Sequence, residues 1–288
     1  MQLIETHIVP AGVKDIRLQE YAVSIFKAAP TKSSIKKAIK RGEIKIDGTT
    51  SNTGDWIREG QKIELFKQEA PEKVFSLKLE VLFEDDHIAV VIKPAGYPTS
   101  GNYFKTITNA LPFNLKISKN PTALSAPQPA HRLDNPTSGL LLIAKTGDSL
   151  RKLHRDFEEK KIQKKYTALV EGKFPEQKIL QDKIEGKISE TEISLLRSFQ
   201  INGKDFSLIS AIPKTGRTHQ IRIHLAKAGF PIVGDKLYGN ENSTGNIKGL
   251  FLSASSLKFQ HPTTLEWINI AVEPPKRFIK IEEQSGLT

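Results

Sequence analysis

The chain has 288 residues, 38% of them hydrophobic and 26% charged, enough for one large domain or two unequal ones around a sizeable core. The formal net charge of +11 draws polyanions, nucleic acid first and an anionic membrane surface second, although a merely soluble basic protein would carry the same charge. The absence of cysteine excludes thiol nucleophiles, disulfides and cysteine-ligated metal centres.

In chain order, the start MQLIETHIVPAGVKD lacks the long apolar core of a signal peptide. The longest apolar runs, IAVVI (88–92) and GLLLIA (139–144), are too short to cross a bilayer, so a cytoplasmic location without membrane association is expected. Residues 31–48, TKSSIKKAIKRGEIKIDG, predict a helix with Ile35, Ala38 and Ile39 on one side and Lys36, Lys37, Lys40 and Arg41 on the other. Gly42 stops it, and EIKIDG reads as a short strand ending in an Asp-Gly turn. GQKIEL (60–65) is a further strand, and a small unit closes near residue 66. Its four cations could grip phosphates or simply face water. Residues 67–77, polar with one proline, read as a linker.

The remainder, 78–288, is strand-rich. LEVLFED and HIAVVIK are joined by a tight turn at Asp85 and Asp86, and GLLLIAK suits a strand buried on both faces. GDSLRKLHRDFEEK (147–160) and THQIRIHLAKAG (218–229) predict helices. KKYTALVEG, TEISLLRS, FSLISAIPK, FLSASSLKF and EWINIAVE predict further strands. Runs of strands with interposed helices imply an α+β fold with a mixed, mainly antiparallel sheet.

Three stretches could carry chemistry. In HRLDNPTSGLLLIAKT (131–146), Pro136 and Gly139 build a turn that presents Asp134 at the mouth of a buried strand, although an Asp there could equally be a local turn residue. In KTGRTHQIRIHL, Arg217, His219, Arg222 and His224 crowd a helix start; the histidine spacing does not suit a metal, and an arginine could bind phosphate or hold a carboxylate ionised. In KIQKKYTALVEG, Tyr166 behind a basic cluster suits stacking on a base, or is a half-buried strand tyrosine.

In this order, HRLDxxTSG, KKYxALVEG and TGRTHQIRxHL resemble the pseudouridine synthases of the RluA branch, over roughly residues 78–280. KPAG (93–96) and LSASSLKFQHP (252–262) fit the same pattern, with Ser253 where that family often has histidine. Residues 13–66 resemble the S-four-type RNA-binding module, its first helix beginning at Ile16, Arg17 and Leu18 and Asp47 standing where asparagine is frequent.

The resemblance implies conversion of uridine to pseudouridine in RNA, large-subunit ribosomal RNA before tRNA, and no cofactor, metal or protein partner is expected; a monomer is expected because no long amphipathic dimer helix stands out. Asp134 would be the key carboxylate, attacking the sugar or the base or abstracting a sugar proton. Tyr166 would stack on the flipped uracil and help remove its C5 proton, and Arg217 would pair with Asp134. Arg132 would fill the gap left in the RNA stack, and Arg222 with Lys36, Lys37, Lys40 and Arg41 would contact RNA. A non-catalytic RNA-binding or ribosome-assembly protein would share the charge and the N-terminal unit but has no need of Asp134, Tyr166 and Arg217 together. A metal-dependent nuclease would need a carboxylate cluster or phosphate loop that the sequence does not display.

Overall fold

The computed structural model describes residues 1–67, 74–240 and 249–283; most of the stretch expected to be a linker, 68–73, lies outside them. The N-terminal part comprises β1 (Gln2–Ile8), β2 (Ile16–Arg17), α1 (Leu18–Tyr21), α2 (Lys32–Lys40), β3 (Ile44–Ile46), β4 (Thr49–Thr50), β5 (Trp56–Ile57) and β6 (Lys62–Lys67). A sheet in the order β1-β6-β3-β4 and a β2–β5 ribbon enclose a core of Leu18, Phe26, Ile35, Ile39, Ile44 and Ile63. Thr31 and Ser34 form a reciprocal capping box that starts α2. Its apolar side is buried as expected, and Lys36, Lys37, Lys40 and Arg41 are exposed. Asp47 and Gly48, both left-handed, make the tight β3–β4 turn. The first helix begins at Leu18: Ile16 and Arg17 are drawn into the ribbon by pairing with Ile57 and Trp56.

The larger part contains β7 (Glu80–Glu84), β8 (Ile88–Lys93), α3 (Ile107–Asn114), β9 (Ala123–Pro129), β10 (Ser138–Thr146), α4 (Gly147–Glu158) and β11 (Gln163–Glu171). It continues with β12 (Gln177–Ile184), β13 (Lys187–Ile201), β14 (Lys204–Pro213), α5 (Gln220–Lys227), β15 (Leu252–Gln260), β16 (Trp267–Ala271) and α6 (Lys276–Glu283). One sheet runs β12-β13-β14-β11-β15-β10-β8-β7, with β16 also on β15 and β9 also on β10. Its pairings are antiparallel except β10–β15. The fold is therefore α+β with a mainly antiparallel sheet.

The continuous apolar run of β10 follows from its position. Leu141 and Ile143 pack with Ile107 and Leu111 of α3, whereas Leu140, Leu142 and Ala144 pack with Leu153 of α4, so both faces are covered. At its start Gly139 has φ 111°, and a Cβ there would lie 2.2 Å from the Ala254 carbonyl oxygen, so only glycine permits the close parallel approach to β15. The loop before Gly139 is thus held by a rigid strand. Among the described residues no helix is long and apolar enough to cross a membrane.

Candidate active site

A cleft of about 800 Å³ opens between the loop preceding β10, the start of β11 and the loop preceding α5. Arg132, Asp134, Tyr166, Arg217 and Arg222, separated by up to ninety residues in sequence, all line it. Lys36, Lys37, Lys40 and Arg41 do not.

The Asp134 loop is fastened from beneath. The Thr137 N–H donates to the Asp134 carbonyl at 3.0 Å, closing a turn across Asn135 and Pro136. Lys93, fully buried, donates its three N–H bonds to the carbonyls of Pro94, Asn135 and Thr137 at 3.0, 3.1 and 2.7 Å. Burial pushes its ammonium down to about 8, partly offset by the Asp134 charge. Thr99 exchanges hydrogen bonds with the backbone of Leu133, its hydroxyl accepting from the N–H and donating to the carbonyl. His131 accepts from the Leu142 N–H at 3.1 Å, and burial together with the Lys164 charge holds it neutral, pushed down to about 3. It shapes the loop.

The loop before α5 is fixed by Gln220. Its oxygen accepts from the Arg217 N–H and the Thr215 hydroxyl, and its amide donates to the Glu190 carbonyl and the Thr191 hydroxyl. All its polar capacity is thus spent on positioning this loop against β13. His219 and His224 diverge: His219 faces Asp134, whereas buried His224 bonds Ser189 and Thr191 of β13.

Two assignments change. Arg217 was expected to pair with Asp134, but among the described residues the basic side-chain nitrogens within reach are Arg222 Nη1 at 3.6 Å and His219 Nε2 at 3.7 Å, both from Oδ2. Arg222 was expected to contact RNA. It is instead 3% exposed and grips Asp235 through two hydrogen bonds of 2.7 Å. Arg217 lies in the loop before α5 and Arg222 in its first turn, and it is the buried one that reaches the carboxylate. Burial alone would push the Asp235 carboxyl up, but the Arg222 hydrogen bonds and the N–H groups of Leu237 and Tyr238 bring it below the usual range. Arg217 lines the cleft, its Nε buried without a hydrogen-bond partner among the described residues.

Tyr166 is half-buried at a bulge in β11, packed against both adjoining cores. Burial, reinforced by the Asp134 charge, raises its phenol and keeps it protonated. Arg132 is exposed at the cleft rim. Lys93, His219, Gln220, Asp235 and Tyr238 were not picked out as site residues in the sequence. KPAG was visible as a motif, but what it anchors depends on contacts across the sheet.

A carboxylate on a rigid strand mouth, a buried guanidinium beside it and an aromatic in the same cleft are the parts of an enzyme site. Comparison with known proteins is specific. Residues 87–227 match the family described as RNA pseudouridylate synthase. The chain is 33% identical to an uncharacterised RNA pseudouridine synthase of Aquifex aeolicus, covering 86% of this chain and 87% of the relative. It is 34% identical to the ribosomal large subunit pseudouridine synthase C of Haemophilus influenzae, covering 85% and 84%. Human RNA pseudouridylate synthase domain containing 1 shares the fold, with TM-score 0.59 and 24% identity over 71% of this chain and 87% of that one. The chain belongs to the RNA pseudouridine synthases and resembles their RluA branch in its motifs. It is accordingly an isomerase whose substrate is RNA.

Proposed function

We propose that the chain isomerises uridine to pseudouridine in large-subunit ribosomal RNA, with Asp134 as the catalytic carboxylate. The observation that carries the role of Asp134 is its place at the mouth of β10 with Arg222 and His219 both facing Oδ2. The ribosomal target rests on the Haemophilus relative's name and on the likeness of residues 13–66 to an S-four-type module. In this reading 1–66 is an RNA clamp, 67–77 a linker and 78–288 the catalytic domain, working in the cytoplasm.

The reaction breaks the bond from N1 of uracil to the sugar, turns the base, joins C5 to the sugar, and moves one proton from C5 to solvent while N1 gains one. It is balanced without redox change or hydrolytic water. Attack on the sugar, attack on the base and abstraction of a sugar proton each begin from the Asp134 carboxylate, which has the Arg222 guanidinium 3.6 Å from Oδ2. Tyr166 supplies a stacking surface for the extracted base. As a protonated phenol it is poorly suited to take the C5 proton itself. The buried, unpartnered Nε of Arg217 is a donor that a phosphate or a uracil carbonyl would satisfy. Arg132, exposed in the cleft lining, would be the side chain to fill the space the base vacates.

The test is tritium release from C5 of uridine in bulk RNA from a strain lacking the gene, followed by mapping of the modified position. Wild type releases tritium and Asp134→Ala does not, while the variant melts normally. Full activity in Asp134→Ala overturns the assignment, and modification confined to tRNA overturns the ribosomal target.

A further inference from the structure

We propose that Tyr238 and His219 form a positioning dyad that, with Arg222, fixes the reactive geometry of Asp134. The inference rests on the catalytic reading of Asp134 and adds residues which that reading does not use.

The first observation is backbone strain. His219 is the N-cap of α5, yet it has φ 53° and ψ 23° instead of an extended conformation, and its side chain makes no capping hydrogen bond. Left-handed backbone is unfavourable for a residue with a Cβ, and a cap that does not cap gains nothing for the helix in return. The imidazole is engaged elsewhere. Nδ1 lies 3.0 Å from the Tyr238 hydroxyl, and Nε2 lies 3.7 Å from Asp134 Oδ2.

The tautomer follows from the carboxylate. A neutral ring with its lone pair on Nε2 would set that lone pair against negative charge. A phenol donating to Nδ1 leaves the proton on Nε2, where it faces Asp134.

The second observation is that Tyr238 also reaches Arg222. The guanidinium carbon stands 5.1 Å from the centroid of the tyrosine ring. Tyr238 is itself anchored, since its N–H donates to Asp235 Oδ1 at 3.2 Å, and Asp235 is the carboxylate that grips Arg222. One side chain therefore braces both groups that approach Asp134, the hydroxyl holding His219 and the ring flanking Arg222. Both approach the same oxygen, Oδ2. The dyad thus orients the carboxylate so that its other oxygen is the one offered to the nucleoside. None of these atoms touches the reacting carbon in this account, so the effect belongs to turnover and not to RNA affinity.

The experiment measures kcat and KM for tritium release from the same C5-labelled bulk RNA with Tyr238→Phe, His219→Asn, the double variant and Asp134→Ala. Phenylalanine keeps the ring beside Arg222 and removes only the hydroxyl; asparagine accepts the left-handed backbone and removes the imidazole. Each single variant lowers kcat with KM unchanged, by up to roughly the hundredfold that a misplacement of about 1 Å costs. The double variant is no slower than either single one, because both remove the same device. Undiminished kcat in Tyr238→Phe, losses confined to KM, or losses that multiply in the double variant would each overturn the proposal. Activity in Asp134→Ala would instead overturn the reading beneath it, whereas a dead Asp134→Ala beside a fully active Tyr238→Phe overturns the dyad alone.

Discussion

Two regions of this protein carry clusters of cations, and they differ in what surrounds them. On α2, Lys36, Lys37 and Lys40 stand in water on the far side from a small apolar core. Around Asp134, Lys93 and Arg222 are buried, and every contact they make is to a carbonyl, a carboxylate or an aromatic ring of the same chain. A cation in the first setting is free to meet a phosphate, with its strength set by salt. In the second, its charge is committed to holding the fold in one geometry, and removing it strands a partner. Burial, not residue type, separates a cation open to solvent and its ions from one that builds the site.

The sharpest way to break this contrast is at Arg222. Arg222→Met leaves Asp235, whose side chain is 1% exposed, without its counter-charge. The expected cost is about 3–5 kcal/mol of stability, read from urea unfolding, together with loss of tritium release because Asp134 loses its nearest cation. Adding Asp235→Leu replaces the pair by apolar volume and restores most of the stability, since a buried pair is often no better than a hydrophobic one. Activity stays lost in the double variant. Recovery of both would mean that Arg222 acts only on the fold; recovery of neither would mean that the turn at 235–238 depends on Asp235 by itself.

Lys93 gives a smaller effect with a definite pH signature. Its ammonium is pushed down to about 8 from the ordinary 10.5, burial being the main cause. As pH rises through 8 the folded protein loses that proton, and three carbonyls must share two N–H donors. The expected result is a turnover rate that declines above pH 8. Stability moves the other way for this group. Between pH 8 and 10.5 the unfolded chain binds the proton and the folded chain does not, so unfolding becomes less favourable as pH rises across that window. A rate that holds constant to pH 10 would show that Lys93 stays charged and that Asp134 outweighs its burial.

The same distinction explains what could be read in the sequence. Period and turn chemistry are local, so the β10 run, α4, the Asp-Gly turn of β3–β4 and the Asp85 turn were legible, as were the motifs that converge on the cleft. Elements whose local signals conflict with their structure were not. Helix α3 contains Pro112, β9 carries Pro127 and Pro129, and both are held by the sheet they pack on. The pairing partner of Asp134 was misread for a related reason. Arg217 and Arg222 have the same charge and nearly the same place in the chain, and only the left-handed turn at His219 decides which faces inward.

The α2 cations offer the smallest effect and the cleanest one. Lys36, Lys37 and Lys40 to Gln should leave unfolding within about 0.5 kcal/mol of wild type, as for exposed positions without buried partners. It should weaken RNA binding alike for all sequences and flatten the slope of log K against log salt by roughly 0.7–0.9 per lost phosphate contact, with kcat at saturating RNA unchanged. Arg41 is left in place because it alone on this face stands near a buried carboxylate, 3.7 Å from Glu43, which is 7% exposed. Burial raises the Glu43 carboxyl against the lowering effect of Arg41, so Arg41→Gln should cost stability where the lysines do not. The contrast between the two regions is thereby repeated within a single helix. An unchanged salt slope in the triple variant would make α2 a solvated face and not an RNA contact.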